Sequence, residues 1–229
     1  MKCLFTRCFA AIAVFFFAAA ADAQVGYSLN TLTDGNGNPI LSKKATAGEA
    51  TYLFNKDFLD GLLFIEGNTK PVTGTRLKLN LQNNRVFYLD KEGNEMELTS
   101  PVNRIEFTGR GEGGANAVFV KGLPPIEKLT ADTYYLQLVS GKAQLLMNTT
   151  FSEVEYKEYN SASTVRRTDK LTSYYGYTGK QFAKLARPED VLLLLNDKTR
   201  EVSAYIKKEK LKLKKQADLE KLFVYYNTL

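Results

Sequence analysis

The sequence predicts a mainly β, α+β fold: a curved antiparallel sheet, built as a sandwich or partial barrel, with two or three C-terminal helices packed on it. Three observations carry this expectation. Short runs with apolar residues at every second position recur from Leu62 to Thr178, separated by Gly, Asn and Asp turns. A period of two marks a strand with one buried face. From Arg187 onward the apolar spacing lengthens to that of amphipathic helices. The runs are also numerous, and a sheet of about eight or more twisted strands closes, splits or bends.

Met1 to Ala23 comes first and reads as a cleavable export signal. Lys2 and Arg7 form a basic start, Phe9 to Ala20 an apolar core, and Ala21-Asp22-Ala23 a small-x-small cleavage site before Gln24. The apolar run falls short of the roughly 20 residues a spanning helix needs, so removal is expected rather than anchoring. Cys3 and Cys8 lie before or at the start of that core, where neither can become a lipidated first residue. The expected product is soluble, periplasmic or secreted, and not a lipoprotein.

Strands are then expected at Tyr27 to Leu32, Thr51 to Phe54 and Leu62 to Glu66. In Thr75 to Leu81, Leu77, Leu79 and Leu81 alternate with Arg76, Lys78 and Asn80. Asn83-Asn84 turns the chain into Arg85 to Leu89, and Asp90 to Asn94 turns it into Glu95 to Leu98. Val102 to Thr108, Ala117 to Lys121, Thr133 to Val139, Ala143 to Thr150, Phe151 to Tyr159 and Leu171 to Thr178 continue an antiparallel meander, with Ser140-Gly141-Lys142 as a hairpin loop. Tyr134, Tyr135, Tyr156, Tyr159, Tyr174, Tyr175 and Tyr177 crowd the later strands. Tyrosines suit half-buried pleated surfaces, with the ring packed and the hydroxyl wet, and this reading is preferred to a ligand-stacking platform.

The helical end opens at Arg187-Pro188-Glu189-Asp190, where proline at a first helical position and acids in the first turn suit the helix dipole. Val191 to Leu195 follows as an apolar turn and a half. Val202, Tyr205 and Ile206 mark a helix over 199–208, and Leu219, Leu222, Phe223 and Tyr226 another over 218–226. Lys210 to Lys214 alternates Lys and Leu and reads as an extended connector. The chain thus divides into a signal at 1–23, a β domain at 24–186 and a helical segment at 187–229.

Arg187-Pro188-Glu189-Asp190-Val191, Ala204-Tyr205-Ile206-Lys207-Lys208, Asp218-Leu219 and the closing Tyr225-Tyr226-Asn227 resemble the ending of exported, β-rich envelope proteins of Bacteroidota. Leu77 to Leu81, Phe87-Tyr88-Leu89-Asp90 and Gly93 are similar as well. That group has no assigned activity. The resemblance therefore implies compartment and architecture and carries over no site residue.

Composition excludes several chemistries. The 229-residue chain holds no His and no Trp, and both cysteines leave with the signal. Thiolate nucleophiles, imidazole catalysis and disulfides are lost to the mature form, and no cofactor is expected. Zinc, haem and iron–sulfur roles lose their commonest ligands, leaving oxygen-ligand ions such as calcium. The formal charge of +6 becomes +5 on cleavage, as Lys2 and Arg7 leave with Asp22. Between Lys198 and Lys221 nine bases face four acids, which accounts for the whole mature excess. Lys207, Lys208, Lys210, Lys212, Lys214 and Lys215 are the candidate contacts for an anionic membrane or glycan surface, set against a solvated face whose lysine stems cover apolar groups. Nucleic acid is not an expected partner of an exported chain.

Other motifs weigh less. Gly109 to Gly114 satisfies G-x-G-x-x-G, but the β-like run after it predicts a hairpin loop rather than a dinucleotide site. Asp34 to Asn38 has alternating oxygen ligands, yet Pro39 and Ala45 stand where a calcium loop needs glycine and a bidentate acid. Glu153, Glu155 and Glu158 offer a carboxylate set for glycan hydrolysis, and Lys170 with Ser173 a serine–lysine pair. The preferred reading is a non-enzymatic envelope protein that binds through its sheet face or a cavity, with a hydrophobic ligand expected only if the interior is unfilled. An assembly component meeting other envelope proteins comes second, and a carboxylate-dependent glycan hydrolase third.

Overall fold

A computed structural model describes residues 32–33, 39–45, 53–109, 116–157 and 164–229. The expected signal at Met1 to Ala23, the strand at Tyr27 to Leu32 apart from its last residue, and the Asp34 to Asn38 motif lie outside the described residues. Among those described, eleven strands form one antiparallel sheet. They are β1 (Ser42–Lys44), β2 (Leu59–Ile65), β3 (Val72–Asn80), β4 (Arg85–Leu89), β5 (Glu95–Leu98), β6 (Val102–Phe107), β7 (Ala117–Val120), β8 (Tyr135–Val139), β9 (Gln144–Lys157), β10 (Thr164–Tyr177) and β11 (Phe182–Lys184). Their spatial order is β1-β5-β4-β3-β2-β6-β7-β8-β9-β10-β11.

That order forces the sheet to curl. β5 and β6 are four strand spacings apart in the sheet, about 19 Å if it were flat. The link between them, Thr99 to Pro101, lets Leu98 and Val102 stand at most about 14 Å apart. β5 through β6 therefore wrap into a partial barrel, and the sheet does not close. Leu63, Leu77, Leu79, Ile105 and Phe107 fill its interior and are fully buried. Phe54 packs its ring 5.2 Å from Phe107 and 4.8 Å from Phe119, adding to this core.

Beyond β7 the sheet unrolls, and three helices cover the same face. They are α1 (Pro188–Leu194), α2 (Thr199–Glu209) and α3 (Gln216–Thr228). α1 starts where the sequence places it: the Asp190 carboxylate accepts the Arg187 backbone N–H at 2.9 Å and its guanidinium at 3.1 Å. Val191, Leu194, Val202, Leu219, Leu222 and Phe223 pack against Leu145 and Val139 of the sheet. Contact is closest at Gly176 of β10. A Cβ there would stand 2.1 Å from Leu194 Cδ2 and 3.2 Å from Phe223 Cζ. At the chain end, Asn227 clasps the β8–β9 hairpin, its Oδ1 accepting the Ala143 N–H at 2.8 Å while its Nδ2 donates to the carbonyls of Ser140 and Ala143.

Four expectations need correction. Ala143 to Thr150 and Phe151 to Tyr159 are not two strands; one 14-residue strand, β9, runs through them to Lys157. No Gly, Pro or Asn interrupts the chain at Thr150-Phe151, so nothing turns it there. β10 begins at Thr164 rather than Leu171. Its first half holds Val165 as its one apolar residue and lacks the alternation that marks a half-buried strand. Of the expected strand at Thr51 to Phe54 only Leu53 and Phe54 are described, and they contribute an isolated bridge from Leu53 to Asn80. The tyrosine hydroxyls are not uniformly wet either. Tyr134 donates to the Val102 carbonyl at 2.6 Å in the interior, and the buried Tyr135 hydroxyl has no hydrogen-bond partner among the described residues.

Candidate functional site

The overturned strand boundary produces the most distinctive feature of the surface. β9 and β10 pair residue for residue from Gln144↔Tyr177 to Lys157↔Thr164. Only the first part of this ribbon belongs to the body. The ladder from β8 ends at Met147, and β11 reaches no further along β10 than Tyr175, with one last bond from the Leu185 N–H to the Tyr174 carbonyl. From Thr150 and Leu171 outward, the two strands are each other's only strand neighbours among the described residues. They project as an arm about 25 Å long.

Both of its faces are open. Ser152, Val154 and Glu155 on β9, and Arg167, Thr168, Lys170, Leu171 and Thr172 on β10, are exposed. Leu171 is 63% accessible and Val154 37%, values that set them apart from the buried leucines of the body. Arg167 pairs with Asp169 along β10, Nε to Oδ1 at 2.7 Å. A two-stranded ribbon without a third strand or a covering helix is marginal in water. The arm thus has no third strand along either edge among the described residues, and it leaves Leu171 and Val154 exposed.

A pocket of about 250 Å³ opens at the base of the arm, where β8 stops and the edge of β9 becomes free. Phe54, Phe119, Leu136, Met147 and Phe151 line it, and Lys170 stands at its rim. Phe119 and Tyr134, which line it, belong to the buried core of the curled sheet, and Phe54 and Leu136 pack against that core.

The residues singled out by sequence fall in different places. Lys207, Lys208, Lys210, Lys212, Lys214 and Lys215 are all exposed around the α2–α3 corner. Lys210 ends α2 with a left-handed φ of 52°. Between the lysines, Leu213 is buried and Leu211 half-buried in the helical core, which explains the alternation. The expected extended connector is a short loop with a turn at its end. Glu155 is exposed on the arm; Glu158 lies outside the described residues. Lys170 and Ser173 are three residues apart on one strand and so occupy opposite faces, which separates that pair.

Of Gly109 to Gly114, only Gly109 is described, with φ 64°. The loop joins antiparallel β6 and β7, with Phe107 opposite Ala117, and no helix follows it. Tyr134, Tyr135 and Tyr175 are buried, and Tyr135, Tyr175 and Phe182 pack ring to ring at 5.4 to 5.7 Å. Burial pushes the Tyr134 and Tyr135 hydroxyls far above their usual range, aided by Asp132 and by Tyr175 respectively. Among the described residues no helix is long and apolar enough to cross a membrane, and no three His, Cys, Asp or Glu side chains gather to hold a metal ion.

Compared with known proteins, the chain matches no family model, no curated protein and no solved structure. The arm is the part of the site that sequence reasoning missed. The signal was present: an uninterrupted run from Ala143 to Lys157 and a polar run from Thr164 to Lys170, placed symmetrically about Asn160-Ser161.

Proposed function

We propose that this protein is an exported, non-enzymatic binding module of the cell envelope that engages another protein chain through the β9–β10 arm. The observation that carries this reading is a ribbon exposed on both faces whose two strands have no other strand neighbour among the described residues. An extended segment added to an edge of such a ribbon gains a ladder of main-chain hydrogen bonds, while pockets beside the edge select its side chains. The 250 Å³ pocket at the arm base is placed for that second task. Export rests on the reading of Met1 to Ala23. Binding rather than catalysis is supported by the opposite faces of Lys170 and Ser173 and by the exposure of Glu155 on the arm.

The mature chain lacks cysteine under this reading, so one introduced thiol can be labelled alone. A photoreactive maleimide on Thr168→Cys, at the arm, is compared with the same label on Thr228→Cys, exposed at the far end of α3. In the envelope of the producing cells, illumination should give a covalent protein adduct from position 168 and little from 228. Equal adducts at both positions, or none at the arm, would overturn the proposal. A second contact, supported by the exposure of the six lysines at the α2–α3 corner, is with an anionic membrane surface. Salt-sensitive co-sedimentation with anionic but not neutral vesicles would bear it out; equal and negligible sedimentation would remove it.

A further inference from the structure

The base of the arm has a direction. β8 pairs antiparallel with β9 only as far as Leu136↔Met147. Upstream of Tyr135 the chain leaves β9, and the Tyr134 N–H donates to the Asn84 side chain at 3.0 Å. A segment added to β9 beyond that point, antiparallel as β8 and β10 both are, runs the same way as β8 and lies end to end with it. Its final residues arrive where Tyr134 and Tyr135 already stand. The segment must therefore turn out of the sheet or end there.

The apolar pocket lies at that same point. Met147 and Phe151, alternate residues on one face of β9, line it, and Lys170 stands directly across from Phe151 on β10. A residue added opposite Phe151 thus sends its side chain to the pocket's face, in one row with Phe151 and Lys170. Phe54, Phe119 and Tyr134 complete the aromatic walls around about 250 Å³. Lys170 is the charged residue of the lining, is exposed, and forms no ion pair with an acid among the described residues.

Resting on the reading of the arm as a binding element, we infer that the chain it engages is the free C-terminal end of another protein, closing in a large apolar residue. The aromatic walls take the last side chain, a chain that ends there needs no path past β8, and the terminal carboxylate answers the Lys170 ammonium. An N-terminus reaches the pocket only by running parallel to β9, and its ammonium then meets Lys170 with like charge. An internal segment has to turn away at Tyr135 and brings no main-chain carboxylate. Only a C-terminus meets all three requirements.

The test uses the chain from Gln24 to Leu229 and hexapeptides labelled with a fluorophore at the N-terminus. They share an alternating threonine–valine body, end in phenylalanine, leucine, glycine or aspartate, and are each made as the free acid and as the C-terminal amide. Fluorescence anisotropy should show the phenylalanine and leucine acids binding about tenfold more tightly than the glycine and aspartate acids. Amidation should weaken the two apolar peptides by about tenfold, the size of a hydrogen bond to a charged group. Lys170→Met, a change at an exposed side chain, should bring these acids to the level of their amides and leave the amides unchanged, a coupling that a misfolded arm cannot give.

No binding by any peptide, equal affinity of acids and amides, no preference for the last residue, or an equal loss of both forms in Lys170→Met would overturn the assignment. If the Thr168→Cys label then still captures a protein in the envelope, the arm remains a binding element and only its selection of a C-terminus falls. If it captures nothing, both readings fall.

Discussion

Gly176→Ala tests how the helices are held against the sheet. The added methyl would lie 2.1 Å from Leu194 Cδ2 and 3.2 Å from Phe223 Cζ, against an ordinary carbon–carbon contact of about 3.5–4.0 Å. Leu194 is 4% accessible and Phe223 is fully buried, so neither has solvent to swing into, and α1 must back away from β10. Overpacking of this kind costs about 1–3 kcal/mol. Opposing it, alanine in place of glycine within a strand recovers about 0.5–1 kcal/mol of backbone entropy. The steric term is the larger, leaving a net loss of up to about 2.5 kcal/mol, or a Tm lower by up to about 10 °C for a chain of this size. Urea unfolding followed by circular dichroism measures it. Leu194→Ala alone removes buried volume and should cost about 2–5 kcal/mol. In the double variant the two changes fit each other, and the loss should be smaller than the sum of the single losses. A Gly176→Ala protein as stable as the parent, or strictly additive losses, would refute the close approach of α1 to β10.

Three further outcomes are expected. Asn227→Ala removes three hydrogen bonds to the β8–β9 hairpin and should lower stability by about 1–3 kcal/mol, with faster hydrogen exchange at the Ala143 amide reporting the loosened clasp. Burial pushes the Glu97 carboxyl up, but hydrogen bonds from Arg85 and Lys43 outweigh it and hold the group below the usual range. The unfolded chain therefore takes up that proton first, so the stabilisation is complete above the ordinary carboxylate range and is lost as pH falls through the folded value; Glu97→Gln should flatten this part of the acid unfolding profile. Burial and the hydrogen bond to Asp197 push the Tyr226 hydroxyl up to about 12. Its contribution is present below the unfolded tyrosine range near 10 and is lost as pH rises toward 12, so Tyr226→Phe should reduce the alkaline loss seen in unfolding titrations.

The strands with one wet face were legible because burial imprints a period of two. Leu77 and Leu79 point into the barrel while Arg76 faces water, and β3 runs from Val72 to Asn80 around the expected stretch. The helices were legible for the matching reason, with Val202 and Leu219, Leu222 and Phe223 at helical spacing on buried stripes. The arm left no such imprint. Both of its faces meet solvent, so no residue type is forced to alternate, and only the unbroken backbone pairing of 14 residues defines it. β1 and β11 were missed because three residues are too few to show a period.

By itself the sequence determined the mainly β class, the turns at Asn83-Asn84 and Asp90 to Asn94, the helix start at Arg187-Pro188, and a chain without histidine. These are local properties, set by propensity, capping and composition. The tertiary structure decided which strands are neighbours, that β2 lies between β3 and β6, and hence that the sheet curls over a buried apolar core. It also decided that Gly176 is the point where helix meets strand, that Asn227 reaches back to a hairpin 84 residues away, and that β9 and β10 outrun the body. Contacts between residues far apart in the chain leave no periodic trace in either segment, and they are what set the shape of the surface that meets a partner.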